Sequence, residues 1–333
     1  MTQYKPMNDE EIVHVASRLT REAVSFHDSE LSDEREVVLQ YFDGDAPRRS
    51  ARSASSYVSQ DVYDSVEQAT AALLEVFTGD GTVGKFSPVE AEDVEAAEEA
   101  TRYCDQVIFE KNDGFSFFQT GIKDGLMGRN GIGKVYWDEE ETFYTEEFEG
   151  LTEDEVEILI EDPDFYELES LVVDNPTELL EGRIIDSRTN KQVRLENVAP
   201  EEFGITSRAR TLESAPIVFH RMHKTVSDLI EMGLTEDDIA KARGGEADIG
   251  ETDPEQERRF EGIDESTSEL DEPAQEQGEE IWIYESYMKL DIDGDGVQRL
   301  WKIIHANSVL IHKEPVDFYP FIYWAPVPRS HSF

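Results

Sequence analysis

Cysteine is almost missing from this chain of 333 residues: Cys104 is the single one, so no disulfide can form within the chain. No apolar run approaches the about 20 residues that a membrane-spanning helix needs. Residues 1–9 lack the apolar centre of a secretory signal peptide. These absences predict a protein that is made and stays in a cytoplasm until it is assembled, with no membrane partner.

Basic residues are also scarce: 30 Lys and Arg face 76 Asp and Glu, which gives a net charge of −46. Such a surface repels nucleic-acid phosphate and anionic lipid, and it also repels itself. Salt weakens this repulsion, because the screening length falls from about 10 Å at 0.1 M to about 3 Å at 1 M. The charge therefore predicts adaptation to a salt-rich cytoplasm, as in a halophilic archaeal host. The alternative is an ordinary acidic protein.

Hydrophobic residues make up 38% of the chain, which is enough for a folded core. Helical spacing of apolar residues predicts two helices within 8–43 and further helices over 57–77, 90–112 and 115–128. Apolar and alternating runs predict strands, which we list as 83–87, 134–137, 142–148, 183–185, 192–196, 218–223, 281–290, 297–305 and 309–312. Helices followed by antiparallel strand pairs predict the α+β class.

Composition divides the chain into five predicted segments. They are 1–56 with the N-terminal helices and a basic loop, 57–137 with core helices and a first strand, 138–243 with an acidic helix and strands, 244–280, and 281–333 with strand pairs. Segment 244–280 has 15 acidic residues against two arginines, which predicts a disordered or extended loop. Residues 327–333 read like the middle of a protein, so we expect the chain to be the N-terminal part of a longer one.

The helix predicted over 57–77 carries an apolar stripe with helical spacing. Its periodicity indicates that one face packs on something. We therefore predict that this stripe forms a core for packing and assembly, with the members Val58, Val62, Val66, Leu73 and Phe77.

The segment Asp291–Gly296 resembles the start of a calcium loop, with Asp291, Asp293 and Asp295 at its first, third and fifth positions. The twelfth position should be a bidentate glutamate, but it is Lys302. Strands also flank the segment where a calcium loop needs helices. A glycine-rich hairpin turn is therefore favoured, and the three aspartates stay weak metal candidates.

The basic cluster of Arg48, Arg49 and Arg52 could contact phosphate or a partner. In a chain this acidic, pairing with its own carboxylates is the favoured alternative. No set of residues with recognisable catalytic spacing is present, so the sequence predicts no catalytic residue, no cofactor and no enzyme activity.

Several short sequence motifs, taken in their order along the chain, resemble those of the portal proteins of tailed viruses, especially the short-tailed phage type. The resemblance begins with YVSQDVYDSVE at 57–67 and runs from about Arg52 to the end of the chain. The other main motifs that carry it are KNDGF at 111–115, IKDGL at 122–126, NGIGKVYW at 130–137, PEEF at 200–203, DLIEMG at 228–233 and the turn at 293–296.

This resemblance implies a structural subunit that assembles into a homododecameric ring at one capsid vertex of a virion. The ring would be the channel for genome packaging and ejection, and helices packed with antiparallel strand pairs would form its wing. Implied partners are other copies of the chain, the terminase packaging motor, the major capsid protein and tail or adaptor proteins. Double-stranded DNA would pass through without sequence-specific binding.

Two other hypotheses compete with the ring subunit. One is a non-enzymatic acidic module that binds calcium through Asp291, Asp293 and Asp295 or acts as an adaptor. The other is a halophilic hydrolase, for which the sequence offers no catalytic residue.

Overall fold

The computed structural model describes residues 5–26, 32–45, 59–79, 81–160, 165–174, 179–206, 209, 211–243 and 280–326. Several sequence predictions lie outside these residues. They are the end of the apolar stripe at Val58, the basic cluster Arg48, Arg49 and Arg52, the acidic segment 244–280 except Glu280, and the last residues 327–333.

Helices dominate the first part of the described chain. They are α1 (Asp9–Phe26), α2 (Ser32–Asp43), α3 (Asp61–Thr78), α4 (Val94–Asp105) and α5 (Gly114–Gly128). A 3-10 turn, Ala91–Asp93, precedes α4, and a π-helical turn, Gln106–Glu110, follows it. The predicted strand at 83–87 is wrong, because these residues have no strand pairing.

Strands dominate the remainder, with three short helices between them. The elements are β1 (Gly131–Leu151), α6 (Glu153–Ile160), β2 (Phe165–Asp174), β3 (Leu179–Val198), β4 (Phe203–Ile205), β5 (Ile217–Thr225), α7 (Val226–Glu231), α8 (Glu236–Arg243), β6 (Glu280–Leu290), β7 (Arg299–Ala306), β8 (Val309–Pro315) and β9 (Phe321–Trp324). Helices and antiparallel strands are thus both abundant, as the α+β prediction requires.

The strands form two sheets. One has five strands in the order β4-β5-β6-β7-β8, and every neighbouring pair is antiparallel. The other has four strands in the order β2-β3-β1-β9. The predicted strand pair 134–137 and 142–148 is one continuous strand, β1, and the pair 183–185 and 192–196 is likewise one strand, β3.

The described residues divide into two compact units. One unit contains residues of Met1–Lys134 and Leu195–Phe333, and the other contains Val135–Arg194. The chain enters the second unit along β1 and leaves it along β3. Inside the second unit, cations of β3 pair with carboxylates of β1; the pairs are Arg183 with Glu147, Lys191 with Glu139, and Arg194 with Asp138.

The core of the first unit lies on both faces of the five-stranded sheet. On one face, Ile12, Ala16 and Val24 of α1 pack with Phe219 and Met288 of the sheet. The opposite face has two clusters. One contains the buried residues of α7 and α8, and the other joins Ile132, Val198 and Phe321 to Val218 and Tyr287. Burial on both faces explains the continuous apolar runs Ile217–Phe219 in β5 and Ile281–Tyr284 in β6.

Candidate assembly surfaces and charged sites

Helix α3 buries only a narrow part of its surface in the described subunit. Thr70 and Leu74 are its buried residues, and the helix packs against α5 and α2. The ring of Phe77 stacks on Phe118 of α5 with centroids 5.5 Å apart, and it meets Trp324 edge-on at 6.2 Å. The inner face of α3 is therefore centred on Thr70 and Leu74.

The predicted apolar stripe does not coincide with this buried face. Val62 and Leu73 are more than a third exposed, whereas Val66 and Phe77 are half-buried. Periodicity predicted the helix, but packing within the subunit is shifted toward Thr70 and Leu74. The proposed role of the stripe in assembly is a separate matter and stays a prediction.

Glycines bring α5, β1 and β9 into close approach. A methyl group at Gly131 would lie 2.1 Å from the backbone oxygen of Gly121 and 2.5 Å from Nε1 of Trp324. A methyl group at Gly121 would lie 2.4 Å from the Trp324 ring. Residues 131–134 of β1 pair in turn with 321–324 of β9. A methyl group at Gly125 would lie 3.3 Å from the backbone nitrogen of Gly131, so the motifs IKDGL and NGIGKVYW meet at this tightly packed contact.

A buried ion pair joins the start of β1 to β6 inside the first unit. Nζ of Lys134 lies 2.7 Å from Oε2 of Glu285, and both side chains are buried. The hydroxyl of Tyr287 donates to Oε1 of the same carboxylate, and Lys302 lies 4.0 Å away. Burial acts to raise the pKa of Glu285, but the charge and hydrogen bond of Lys134 outweigh it and the pKa is lowered.

This pair could not be predicted from the sequence, because Lys134 and Glu285 are far apart in the chain. A signal was present on each strand. Glu285 interrupts an otherwise apolar run in β6, and Lys134 interrupts another at the start of β1. A charge inside a buried strand requires a partner, since an isolated buried charge is very costly.

His305 is a second buried titratable group. Its ring stacks on Tyr284 at 5.4 Å, and Nε2 lies 3.4 Å from the hydroxyl of Thr20 on α1. Burial lowers the pKa of His305 to about 4, so the imidazole is neutral near pH 7. This histidine supports the contact between α1 and the sheet.

The weak metal candidates have other partners in the structure. The guanidinium of Arg299 bonds to Asp293 at 2.9 Å and to Asp295 at 2.5 Å. Asp291 accepts hydrogen bonds from the backbone N–H groups of Asp295 and Gly296. Hydrogen bonding to Arg299 lowers the pKa of Asp295. The segment is thus a charged turn between β6 and β7 with its carboxylates engaged.

This turn also fixes the N-terminal segment. The N–H of Met7 donates to the carbonyl of Ile292 at 2.9 Å, and the backbone of Lys5 and Pro6 passes against Gly294. Gly294 has a φ of +71°, which favours glycine. Across the described ranges, no group of three or more His, Cys, Asp or Glu residues is placed to hold a metal ion.

None of the described helices is both long and apolar enough to cross a membrane. Among the described residues, the buried pair of Lys134 with Glu285 and the buried His305 each join separate elements of the fold.

Residues 12–333 match the family described as phage SU10 portal protein. The match covers nearly the whole chain, and the chain therefore belongs to this portal protein family. The search of curated proteins found no match. Membership supports a structural, non-enzymatic role in the virion capsid. It also implies an oligomeric ring that associates with capsid and with tail or motor components in general.

Proposed function

We propose that this chain is the subunit of a homododecameric ring at one capsid vertex, and that the ring is the channel for packaging and ejecting the viral genome. The observation that carries this proposal is the family match over residues 12–333. The packaging terminase and the tail or adaptor proteins would dock on the ring, and the major capsid protein would surround it. Assembly would take place in the host cytoplasm.

The charges support a conduit that does not hold its DNA. Cations that contact phosphate add affinity, which would slow a sliding duplex. Many of the described cations are instead bonded to carboxylates of this chain, among them Lys123, Lys134, Arg183, Lys191, Arg194, Arg299 and Lys313. With a net charge of −46, the subunit leaves double-stranded DNA free to pass.

The ring is tested by the mass of the full chain in molar KCl, measured by sedimentation over a range of concentrations. The expected result is one species with a mass near twelve times that of the subunit. The mass should stay constant over at least a tenfold dilution. A chain that stays monomeric at every concentration contradicts the proposal.

We further infer a short-tailed virus of a halophilic archaeon. The inference of a short-tailed virus is based on the motif YVSQDVYDSVE at 57–67. The inference of a halophilic host is based on the excess of 76 acidic over 30 basic residues. Exposed carboxylates repel each other at low salt. Molar salt weakens this repulsion, because it shortens the screening length to about 3 Å.

The melting temperature is therefore expected to rise by about 5 °C or more between 0.1 M and 3 M KCl. Each added kcal/mol in the free energy of unfolding raises the melting temperature of a domain of 150–250 residues by about 2–4 °C. Calorimetry or circular dichroism measures the shift. Sucrose at matched osmolality is the control, because it screens no charge and should give a smaller rise. A melting temperature that is flat in KCl, or that rises equally in sucrose, rejects the salt adaptation.

A further inference from the structure

The middle of the second unit is a two-stranded ribbon, which we define as residues 135–147 of β1 and 183–194 of β3. These two strands are neighbours in their sheet. Strand β9 pairs only with residues 131–134 of β1, and β2 pairs with residues 179–186 of β3. Between these limits, no third strand of the described chain joins the ribbon. An isolated pair of strands is only marginally stable in water.

Little apolar surface is buried in the ribbon. Of its side chains that the structure describes, Ile184 is the one that is buried, whereas Trp137 and Phe143 are more than half exposed. The ion pairs of Arg183 with Glu147 and of Lys191 with Glu139, which join the two strands, are also more than half exposed. Exposed pairs contribute little stability. A segment with few buried contacts is expected to open locally before the rest of a protein.

The second unit also carries a high density of negative charge. Residues 135–194 contain 20 acidic and four basic residues, whereas the other 273 residues contain 56 acidic and 26 basic ones. The net negative charge per residue is therefore more than twice as high in the second unit. Its carboxylates repel each other when the unit is folded, and salt screens this repulsion. Low salt should therefore favour the opening of this unit.

The residues that flank the second unit are fixed inside the first unit. Immediately before it, Nζ of Lys134 lies 2.7 Å from Oε2 of the buried Glu285. Immediately after it, the N–H of Leu195 donates to Oδ1 of Asn112 at 3.0 Å. These two contacts hold the start and the end of the excursion that the chain makes through the second unit.

A third contact engages both flanks at once. The buried Arg35 of α2 donates from Nε to the carbonyl of Gly128 and from Nη1 to the carbonyl of Pro200, each at 3.1 Å. We call the bonds of Lys134, Leu195 and Arg35 the root contacts. Because all of them join residues of the first unit, the ribbon can open without breaking them.

We propose that Val135–Arg194 opens and closes as an independent folding unit, that salt favours its closed form, and that the root contacts keep the first unit folded when it opens. This inference concerns the single subunit and does not depend on the ring. It describes an order-to-disorder switch built into the fold, in which the strands of the acid-rich ribbon separate at low salt and pair at molar salt.

Hydrogen exchange of the full chain, followed by mass spectrometry in 0.1 M and 3 M KCl, tests this inference. Each rate is divided by that of the same peptide from the digested chain, which cancels the effect of salt on the chemistry of exchange. In 0.1 M KCl the ribbon amides should exchange about tenfold faster, or more, than those of β5 and β6. In 3 M KCl the exchange of the ribbon should be slower by about tenfold or more.

A double variant, Glu146→Gln with Glu149→Gln, tests the role of charge. Both side chains are exposed on β1. Their neutralisation should slow exchange of the ribbon about two- to fivefold in 0.1 M KCl, because exposed charges interact weakly, and should have little effect in 3 M KCl, where they are screened. The matched control is Glu98→Gln with Glu99→Gln, two exposed positions on α4 of the first unit. It should leave the ribbon unchanged.

Equal normalised rates in the ribbon and in β5 and β6, at both salt concentrations, would show that the whole chain opens as one cooperative unit and would overturn the inference. Fast exchange of the ribbon that neither KCl nor the Glu146 and Glu149 variant slows would overturn the role of salt. Neither result bears on the proposed ring, which sedimentation tests separately.

Discussion

Replacing Lys134 by methionine is expected to lower the free energy of unfolding by about 3–5 kcal/mol, because removing one member of a buried ion pair leaves the other charge uncompensated. Methionine keeps the length of the lysine stem but removes the charge 2.7 Å from Glu285. Tyr287 and Lys302 remain near the carboxylate, which places the loss toward the lower end of that range. Denaturation followed by tryptophan fluorescence measures it, since Trp282, Trp301 and Trp324 lie in the same unit.

The pH dependence gives the same variant a second readout. In the wild type the pKa of Glu285 is lowered in the folded state, so its contribution to stability is present above the unfolded pKa and is lost as pH falls through the folded pKa. Without Lys134, burial is no longer outweighed and the folded pKa should rise. The loss of stability relative to the wild type should therefore be largest near pH 7 and should shrink as pH falls and Glu285 becomes protonated in the folded variant.

Lys191→Met is the matched control. It removes a lysine from an exposed pair with Glu139, and exposed pairs contribute little. Its unfolding midpoint should be close to that of the wild type. If Lys134→Met is as stable as Lys191→Met, then the pair of Lys134 with Glu285 does not stabilise the contact between β1 and β6.

Replacing Gly131 by alanine is the second change with a large expected effect. The added methyl group would lie 2.1 Å from the backbone oxygen of Gly121, and neither that oxygen nor the Trp324 ring can move without shifting α5 or β9. Overpacking of this kind costs about 3 kcal/mol. The change should appear as a lower melting temperature of the purified chain.

Gly84→Ala is the control for this substitution. A methyl group at Gly84 meets no atom within 4 Å, and the backbone there does not require a positive φ. The alanine variant should be as stable as the wild type or gain up to about 1 kcal/mol, through a less flexible unfolded chain. Equal stability of Gly131→Ala and Gly84→Ala would show that α5 and β1 are not tightly packed at Gly131.

The helices could be predicted well because their apolar periodicity is local. The helix predicted over 57–77 is observed as Asp61–Thr78. Its buried face could not be read from the same pattern. Between Ala69 and Phe77 the helix is apolar on nearly every side, so only tertiary packing selects Thr70 and Leu74 for the interior and leaves Val76 outside.

Strands were harder to predict because a strand needs a partner. Residues 83–87 have the composition of a strand, yet the N–H groups of Val83 and Phe86 bond to side chains of α4. Conversely, β1 continues through the acidic run 138–141, which looked like a break between two strands. Cations of β3 pair with Asp138 and Glu139 there, and these cross-strand contacts compensate an unfavourable local composition.

Among the charged sites, too, the local ones could be predicted from the sequence and the long-range ones could not. The segment Asp291–Gly296 was readable as a turn because its glycines and aspartates are adjacent. The role of Arg299 in neutralising Asp293 and Asp295 needed the structure. The ion pair of Lys134 with Glu285 spans 151 positions, and only tertiary packing brings the start of β1 to β6.

The proposed function requires copies of this chain to close into a ring around an open channel. Electron microscopy of the purified full chain in molar KCl makes such rings visible. The expected particles are annular, with a central opening and rotational symmetry near twelvefold. Fields of small, single subunits without any annulus would contradict the proposed ring.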